Sequence, residues 1–244
     1  MKKSMLLIFC IIIPIVLLLS GCTHIPGKSE ADVPHSPDSQ SASTAPDPGS
    51  SPSPASRPFS ELAPSATMSF EQLIADDGTR NNPPDPATLP PPDTYLIEID
   101  LVNQIITAYT KGASGEYDMP YRYMICSTGK SGYSTPAGTF KMGGQKVRFG
   151  YFTEFGVYAQ YWTQVVSSIY IHSVLYGTRS GKYLRKSSYT DLGKRVSHGC
   201  IRMLTPDAKW IYENCAPGTT VVITGKKAPD PELKQKLVPP PIPY

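Results

Sequence analysis

Ser197-His198-Gly199-Cys200-Ile201-Arg202-Met203 sets a thiol directly after a His-Gly pair. Upstream, the β-branched-biased run Ile169-Tyr170-Ile171 ends at a second histidine, His172. A sulfur nucleophile needs a base to take its proton and backbone N–H groups to meet the oxyanion it creates. A free cysteine titrates near ~8.5 and is mostly thiol at neutral pH, and a neighbouring imidazole can convert it to a thiolate–imidazolium pair. Gly199 lacks a β-carbon, so the chain can bend sharply there and bring the Gly199 and Cys200 N–H groups close to a substrate carbonyl. Arg202 lies two residues beyond Cys200, and in an extended segment it shares a face with the thiol. It reads either as a contact for a substrate carboxylate or as half of a structural ion pair.

Outward from this stretch the chain reads as short strands. Tyr95-Leu96-Ile97-Glu98-Ile99-Asp100 alternates, Asn103-Gln104 turns, and Ile105-Ile106-Thr107-Ala108-Tyr109 returns. Residues 121–127 form another strand, and further short ones recur through Tyr170 and Ile171. One helix is convincing. It starts at Thr205 or Pro206, with Asp207 at its N-terminus and Ala208, Trp210, Ile211 and Tyr212 as its apolar stripe. Pro217-Gly218 breaks it, and residues 219–224 give a last β-branched strand. The pattern predicts a mainly β domain over residues 94–225, with one principal helix after the cysteine.

The seven-residue run, preceded by His172, resembles the signature of the L,D-transpeptidase catalytic domain (the YkuD-like family): a His, a spacer, then Ser/Thr-His-Gly-Cys. Thr135-Pro136-Ala137-Gly138-Thr139-Phe140 resembles that family's Thr-Pro-x-Gly-x-Phe turn, and residues 207–222 follow its C-terminal end. The resemblance implies a β-sandwich or barrel-like fold. It implies Cys200 as nucleophile, His172 as base, and the Ser173 backbone carbonyl as the group that holds the imidazole. It places His198 and Gly199 in shaping the site, with no metal or organic cofactor, and Ser197 and Arg202 stand beside them as candidate substrate-binding residues. The implied partners are peptidoglycan stem peptides. Cys200 would form a thioester and release D-Ala, and an amine would then resolve it as a cross-link. Water in place of the amine gives an L,D-carboxypeptidase, and a third reading is a non-catalytic wall-binding lipoprotein of the same fold. Acylation by carbapenems is also implied.

One stretch departs from the family. The 24 residues between His172 and Ser197 exceed the family's usual spacing. They hold Arg179, Lys182, Arg185, Lys186, Lys194 and Arg195 against one acid, Asp191. Residues 177–194 read either as a basic rim of the substrate groove or as a solvated insertion.

The flanks follow from composition. The chain has 244 residues and a net charge of only +3, which gives no reason to expect nucleic acid. Lys2 and Lys3 precede an apolar run over residues 5–19, and Leu19-Ser20-Gly21-Cys22 resembles a bacterial lipobox. Residues 1–22 therefore read as a lipoprotein export signal, with Cys22 lipidated and the protein held at the membrane outside the cytoplasm; an uncleaved anchor helix is the alternative. Of the 26 prolines, 15 fall within residues 23–93. That stretch reads as a largely disordered tether, interrupted by a possible short helix capped by Ser69 and carrying Phe70, Leu73 and Ile74. Residues 226–244 are Lys- and Pro-rich and read as a disordered tail. Cys10 falls in the signal. Cys126 and Cys215 read as small buried apolar residues, with a disulfide between them the other reading.

Overall fold

The computed structural model describes residues 57–75, 83–179 and 183–243. The export signal, Cys10, Cys22 and the rest of the chain before residue 57 lie outside the described residues. Eleven strands are present among the described residues: β1 (Leu96–Asp100), β2 (Ile105–Thr110), β3 (Met119–Gly129), β4 (Gly138–Lys141), β5 (Lys146–Phe152), β6 (Val157–Val166), β7 (Ile169–Ser173), β8 (Leu175–Tyr176), β9 (Arg195–Ser197), β10 (Ile201–Met203) and β11 (Thr220–Thr224). The helices are α1 (Phe59–Leu62), α2 (Phe70–Ile74), α3 (Lys186–Thr190), α4 (Thr205–Asn214) and α5 (Pro231–Leu237). The class is mainly β, as the strand pattern predicts, and α4 is the principal helix.

The strands hydrogen-bond in the order β4-β11-β1-β2-β3-β10-β7-β6-β5, with β8 on β6 and β9 on β3. Most neighbours are antiparallel, but β1 runs parallel to β11, β10 parallel to β7 and β9 parallel to β3. Asp100 makes the first hairpin turn tight. Its carboxylate accepts the N–H groups of Val102 (2.8 Å) and Asn103 (3.1 Å), and the Asn103 amide donates to it as well.

Successive apolar residues mark a sheet buried on both faces. Ile106 and Ala108 of β2, and Met124 and Cys126 of β3, pack with Ala208, Ile211 and Tyr212 of α4. Their neighbours Ile105 and Ile125 point the other way and join Phe149, Tyr176, Tyr189 and Leu204. Cys126 and Cys215 are free, buried thiols in the first cluster.

The second cluster corrects the expectation of disorder across residues 23–93 and 226–244 for the parts described. Its outer side is supplied by Ala63 and Leu73 from the N-terminal segment and by Leu237 from α5. Neither segment has enough apolar residues to form a core of its own, but the second face of the sheet gives them an apolar surface to cover. Ser69 does cap α2. Its Oγ accepts the Gln72 N–H while Gln72 Oε1 accepts the Ser69 N–H, a reciprocal capping box. The N-terminal segment is pinned by Ser65 Oγ, which donates to Asp207 Oδ1 (2.6 Å), and by Tyr176 OH, which donates to the Ile74 carbonyl (2.7 Å). Asp207 also pairs with Arg122 at 2.9 Å, so its role extends beyond the start of α4. The tail is held by Tyr189 OH, which donates to the Pro240 carbonyl (2.7 Å).

Leu73 is fully buried. Leu73→Ala is expected to destabilise the full chain by about 2–5 kcal/mol, read as a lower urea midpoint. An unchanged midpoint would mean that the N-terminal segment contributes nothing to the core.

Candidate active site

The parallel pairing of β7 with β10 sets Ile201 beside Ile171 and Arg202 beside His172. Side chains alternate along a strand. Ile171, Ser173, Ile201 and Met203 take the core side and are fully buried. His172 and Arg202 share the opposite face, and Cys200, one step before β10, continues it. All three line one cavity of about 200 Å³, together with Ser197, His198, Val196 and the apolar walls Phe152, Phe155, Val157 and Leu175.

The turn that presents the thiol is locked by hydroxyls. Ser197 Oγ donates to the Cys200 carbonyl (2.6 Å) and accepts the Gly199 N–H (3.2 Å). Gly199 has φ +113°, a conformation that favours glycine, and a β-carbon there would lie 3.0 Å from Ile169 Cδ1. Thr135 Oγ1 donates to the Gly199 carbonyl (2.7 Å). These contacts refine the expectation that both N–H groups face an oxyanion, because that of Gly199 is engaged by Ser197. Ser197 lines the cavity, but its hydroxyl holds the turn.

His172 is buried, and its Nδ1 lies 2.7 Å from the Ser173 carbonyl. With the proton on Nδ1 that contact is a hydrogen bond, and Nε2 is left as the basic nitrogen. The ring meets Phe152 edge-on at 5.0 Å and lies 5.9 Å from Trp162, which stacks on Phe152 at 4.1 Å. Trp162 fits because Gly150 beneath it has no side chain: a β-carbon there would come within 2.4 Å of the indole. His198 is exposed, between Tyr133 and Phe155 at 4.7 Å from each ring. The Cys200 S–H faces the Ser168 carbonyl at 3.7 Å. Arg202 Nε is buried without a hydrogen-bond partner among the described residues.

Burial pushes the His172 imidazole down to about 3, helped by the Arg202 charge and opposed by the Ser173 bond. Burial also raises the Cys200 thiol, against the pull of the Tyr170 N–H and of Arg202. The resting pair is therefore a neutral thiol and a neutral imidazole, where the sequence alone suggested an ion pair. It follows that alkylation of Cys200 by iodoacetamide should climb with pH through neutrality and beyond pH ~8.5, the ordinary thiol value, with no inflection at a histidine-like pH. A rate already level below neutral pH would reveal a preformed thiolate and contradict this electrostatic picture.

The described residues of 177–194 do not line this cavity. The lining passes from Leu175 to Val196. Residues 183–194 instead fold back on the second core: Tyr189 and Leu192 are buried, Tyr189 meets Phe70 edge-on at 5.2 Å, and Ser188 Oγ accepts the Leu175 N–H (2.9 Å). In the described part of residues 177–194, α3 packs on the second core through Ser188 and Tyr189, while Arg179, Arg185, Lys186 and Lys194 are exposed. Thr135 carried no site role in the sequence pattern, although the Thr-Pro-x-Gly-x-Phe turn marked its position. Phe152, Phe155 and Trp162 carried no signal, being aromatic residues outside any motif. No group of three His, Cys, Asp or Glu side chains among the described residues is placed to hold a metal ion.

A thiol, an imidazole oriented by a backbone carbonyl, and a glycine turn in one cavity define a site suited to acyl transfer. Residues 94–223 match the L,D-transpeptidase catalytic domain family (YkuD), and the chain belongs to that family. The YciB protein of Bacillus subtilis (strain 168), which bears an L,D-transpeptidase name, is 37% identical over 93 residues. The match takes in 37% of this chain and 47% of YciB, so the chain spans about half the length of the curated relative it matches. Among solved structures, an L,D-transpeptidase from Mycobacterium smegmatis is 21% identical over 54% of this chain and 59% of that one, with a TM-score of 0.43. An L,D-transpeptidase from Stackebrandtia nassauensis is 20% identical over 64% of each chain, with a TM-score of 0.41.

Proposed function

We propose that this protein is a cysteine L,D-transpeptidase acting on the tetrapeptide stems of peptidoglycan. The observation that carries the reading is the meeting of Cys200 and a carbonyl-oriented His172 in one cavity. As Cys200 Sγ bonds to the carbonyl carbon of the third stem residue, His172 Nε2 takes the thiol proton. The tetrahedral intermediate collapses, the C–N bond breaks, and the imidazolium gives its proton to the departing D-Ala amine. A thioester remains. An amine from a second stem attacks it, its proton passes to His172, and the Cys200 thiol is restored as the new amide forms. Arg202, with an unpartnered Nε at the cavity, suits the terminal carboxylate of the leaving D-Ala. Ser173 orients the base, Ser197 and Gly199 shape the nucleophile turn, and His198 forms the wall between Tyr133 and Phe155.

The apolar walls Phe152, Phe155, Val157 and Leu175 favour an amine acceptor over water, and therefore cross-linking over L,D-carboxypeptidase action. Work on the wall places the domain outside the cytoplasm, with lipidation of Cys22 as its membrane anchor. No helix among the described residues is long and apolar enough to cross a membrane. The full chain incubated with purified tetrapeptide muropeptides should release D-Ala and yield cross-linked dimers by mass spectrometry. Tripeptide product alone would assign the carboxypeptidase reaction, and unchanged tetrapeptide would point to a wall-binding protein.

A further inference from the structure

We propose that Thr135 is a positioning residue for acylation: by donating to the Gly199 carbonyl it sets the Gly199–Cys200 peptide so that the Cys200 N–H meets the oxyanion. The proposal rests on Cys200 being the nucleophile, but not on the identity of the natural acyl donor.

The geometry points to this role step by step. In a trans peptide the C=O and N–H point in opposite directions. Whatever holds the Gly199 oxygen therefore aims the Cys200 N–H. Thr135 is 2% exposed, although residues 131–134 and Ala137 around it are exposed. Its Oγ1 accepts the Gly129 N–H at 2.9 Å and donates to the Gly199 carbonyl at 2.7 Å. The first bond uses a lone pair and the second uses its one hydrogen, so the hydroxyl has a defined orientation. Gly129 lies at the end of β3, which ties the nucleophile turn to a central strand.

An anchor is needed here because Gly199, at φ +113°, brings little intrinsic restraint to the peptide that follows it. The Gly199 N–H is already committed to Ser197 Oγ, which leaves the N–H of the nucleophile itself, in the peptide that Thr135 holds, to serve as donor. The Cys200 N–H is absent from the turn and loop backbone hydrogen bonds of the described residues. A bond to the carbonyl end of a peptide also polarises its N–H end, because hydrogen bonds in a chain strengthen one another.

Two reagents that modify the same sulfur separate this role from a merely structural one. With 4-nitrophenyl acetate, Cys200 Sγ bonds to the acetyl carbon and 4-nitrophenolate leaves with the electron pair, through a tetrahedral oxyanion. With iodoacetamide, Sγ displaces iodide at a methylene carbon and no oxyanion develops. In the full chain, Thr135→Val should slow acetylation by about 10²-fold, the low end of what one oxyanion donor supplies, and leave alkylation within a few-fold of wild type. Thr135→Ser, which keeps the hydroxyl, should restore acetylation. Thr135→Ala serves as the second variant if the valine disturbs the thermal transition. Acetylation and alkylation falling in parallel in the Val and Ala variants would overturn the proposal, as would unchanged acetylation in a folded variant or failure of the serine rescue. A wild type that takes no acetyl group at Cys200 would remove the nucleophile reading, and this proposal with it. A wild type that is acetylated but leaves muropeptides untouched would sink only the assigned substrate.

Discussion

Cys200→Ala is expected to abolish acyl-enzyme formation and D-Ala release while leaving the thermal transition where it is. The sulfur's hydrogen bonding is weak, a 3.7 Å approach to the Ser168 carbonyl. Its removal therefore disturbs the fold little, and the turn is held by Ser197 and Thr135 through backbone groups that alanine also carries. No other thiol among the described residues can take over. Cys126 and Cys215 are fully enclosed in the core, and burial pushes both thiols far up, that of Cys215 to about 12. Release of D-Ala would be followed by chromatography of the reaction products. Turnover persisting in the alanine variant would remove Cys200 from the mechanism.

His172→Gln should give the second-largest loss, a fall in acylation of about 10²–10⁴-fold, the usual contribution of a general base. Gln is chosen over Ala because His172 is buried against Phe152 and Trp162. Truncation there would confuse a lost base with a collapsed wall. Because the resting pair is neutral, the base is needed at the moment of attack, and no preformed thiolate can substitute for it. The loss should appear in the single-turnover acylation rate. A variant within a few-fold of wild type would shift the base role to His198, the other imidazole at the cavity.

The sequence carried the strands well because their apolar residues are β-branched and consecutive. Ile105-Ile106 and Met124-Ile125-Cys126 read as strands, although their burial on two faces, and what covers the second face, was not legible. α2 was legible from its Ser69 cap, but residues 183–194 and α5 bring only a few apolar side chains, too few for a local pattern, and their order arises from a surface made by distant strands. Tyr189 shows the difficulty: it sits in a stretch rich in Lys and Arg, yet it is buried against Phe70 and bonded to Pro240. At the site, Cys200, His172 and Gly199 were legible because a thiol, an imidazole and a glycine at that spacing have few other uses together. The protonation state was not, because burial of both partners is a tertiary property. Nor was the engagement of the Gly199 N–H by Ser197, which depends on the rotamer of one hydroxyl.

The central claim, that Cys200 carries the acyl group of a peptidoglycan stem, is tested most directly by intact-protein mass spectrometry. The wild-type chain is quenched during reaction with tetrapeptide muropeptide, then digested and mapped. The account predicts a mass increase equal to the muropeptide less D-Ala, located on the peptide containing Cys200, with D-Ala released in equal amount. An unmodified protein alongside consumed tetrapeptide, or an adduct on any other residue, would contradict it.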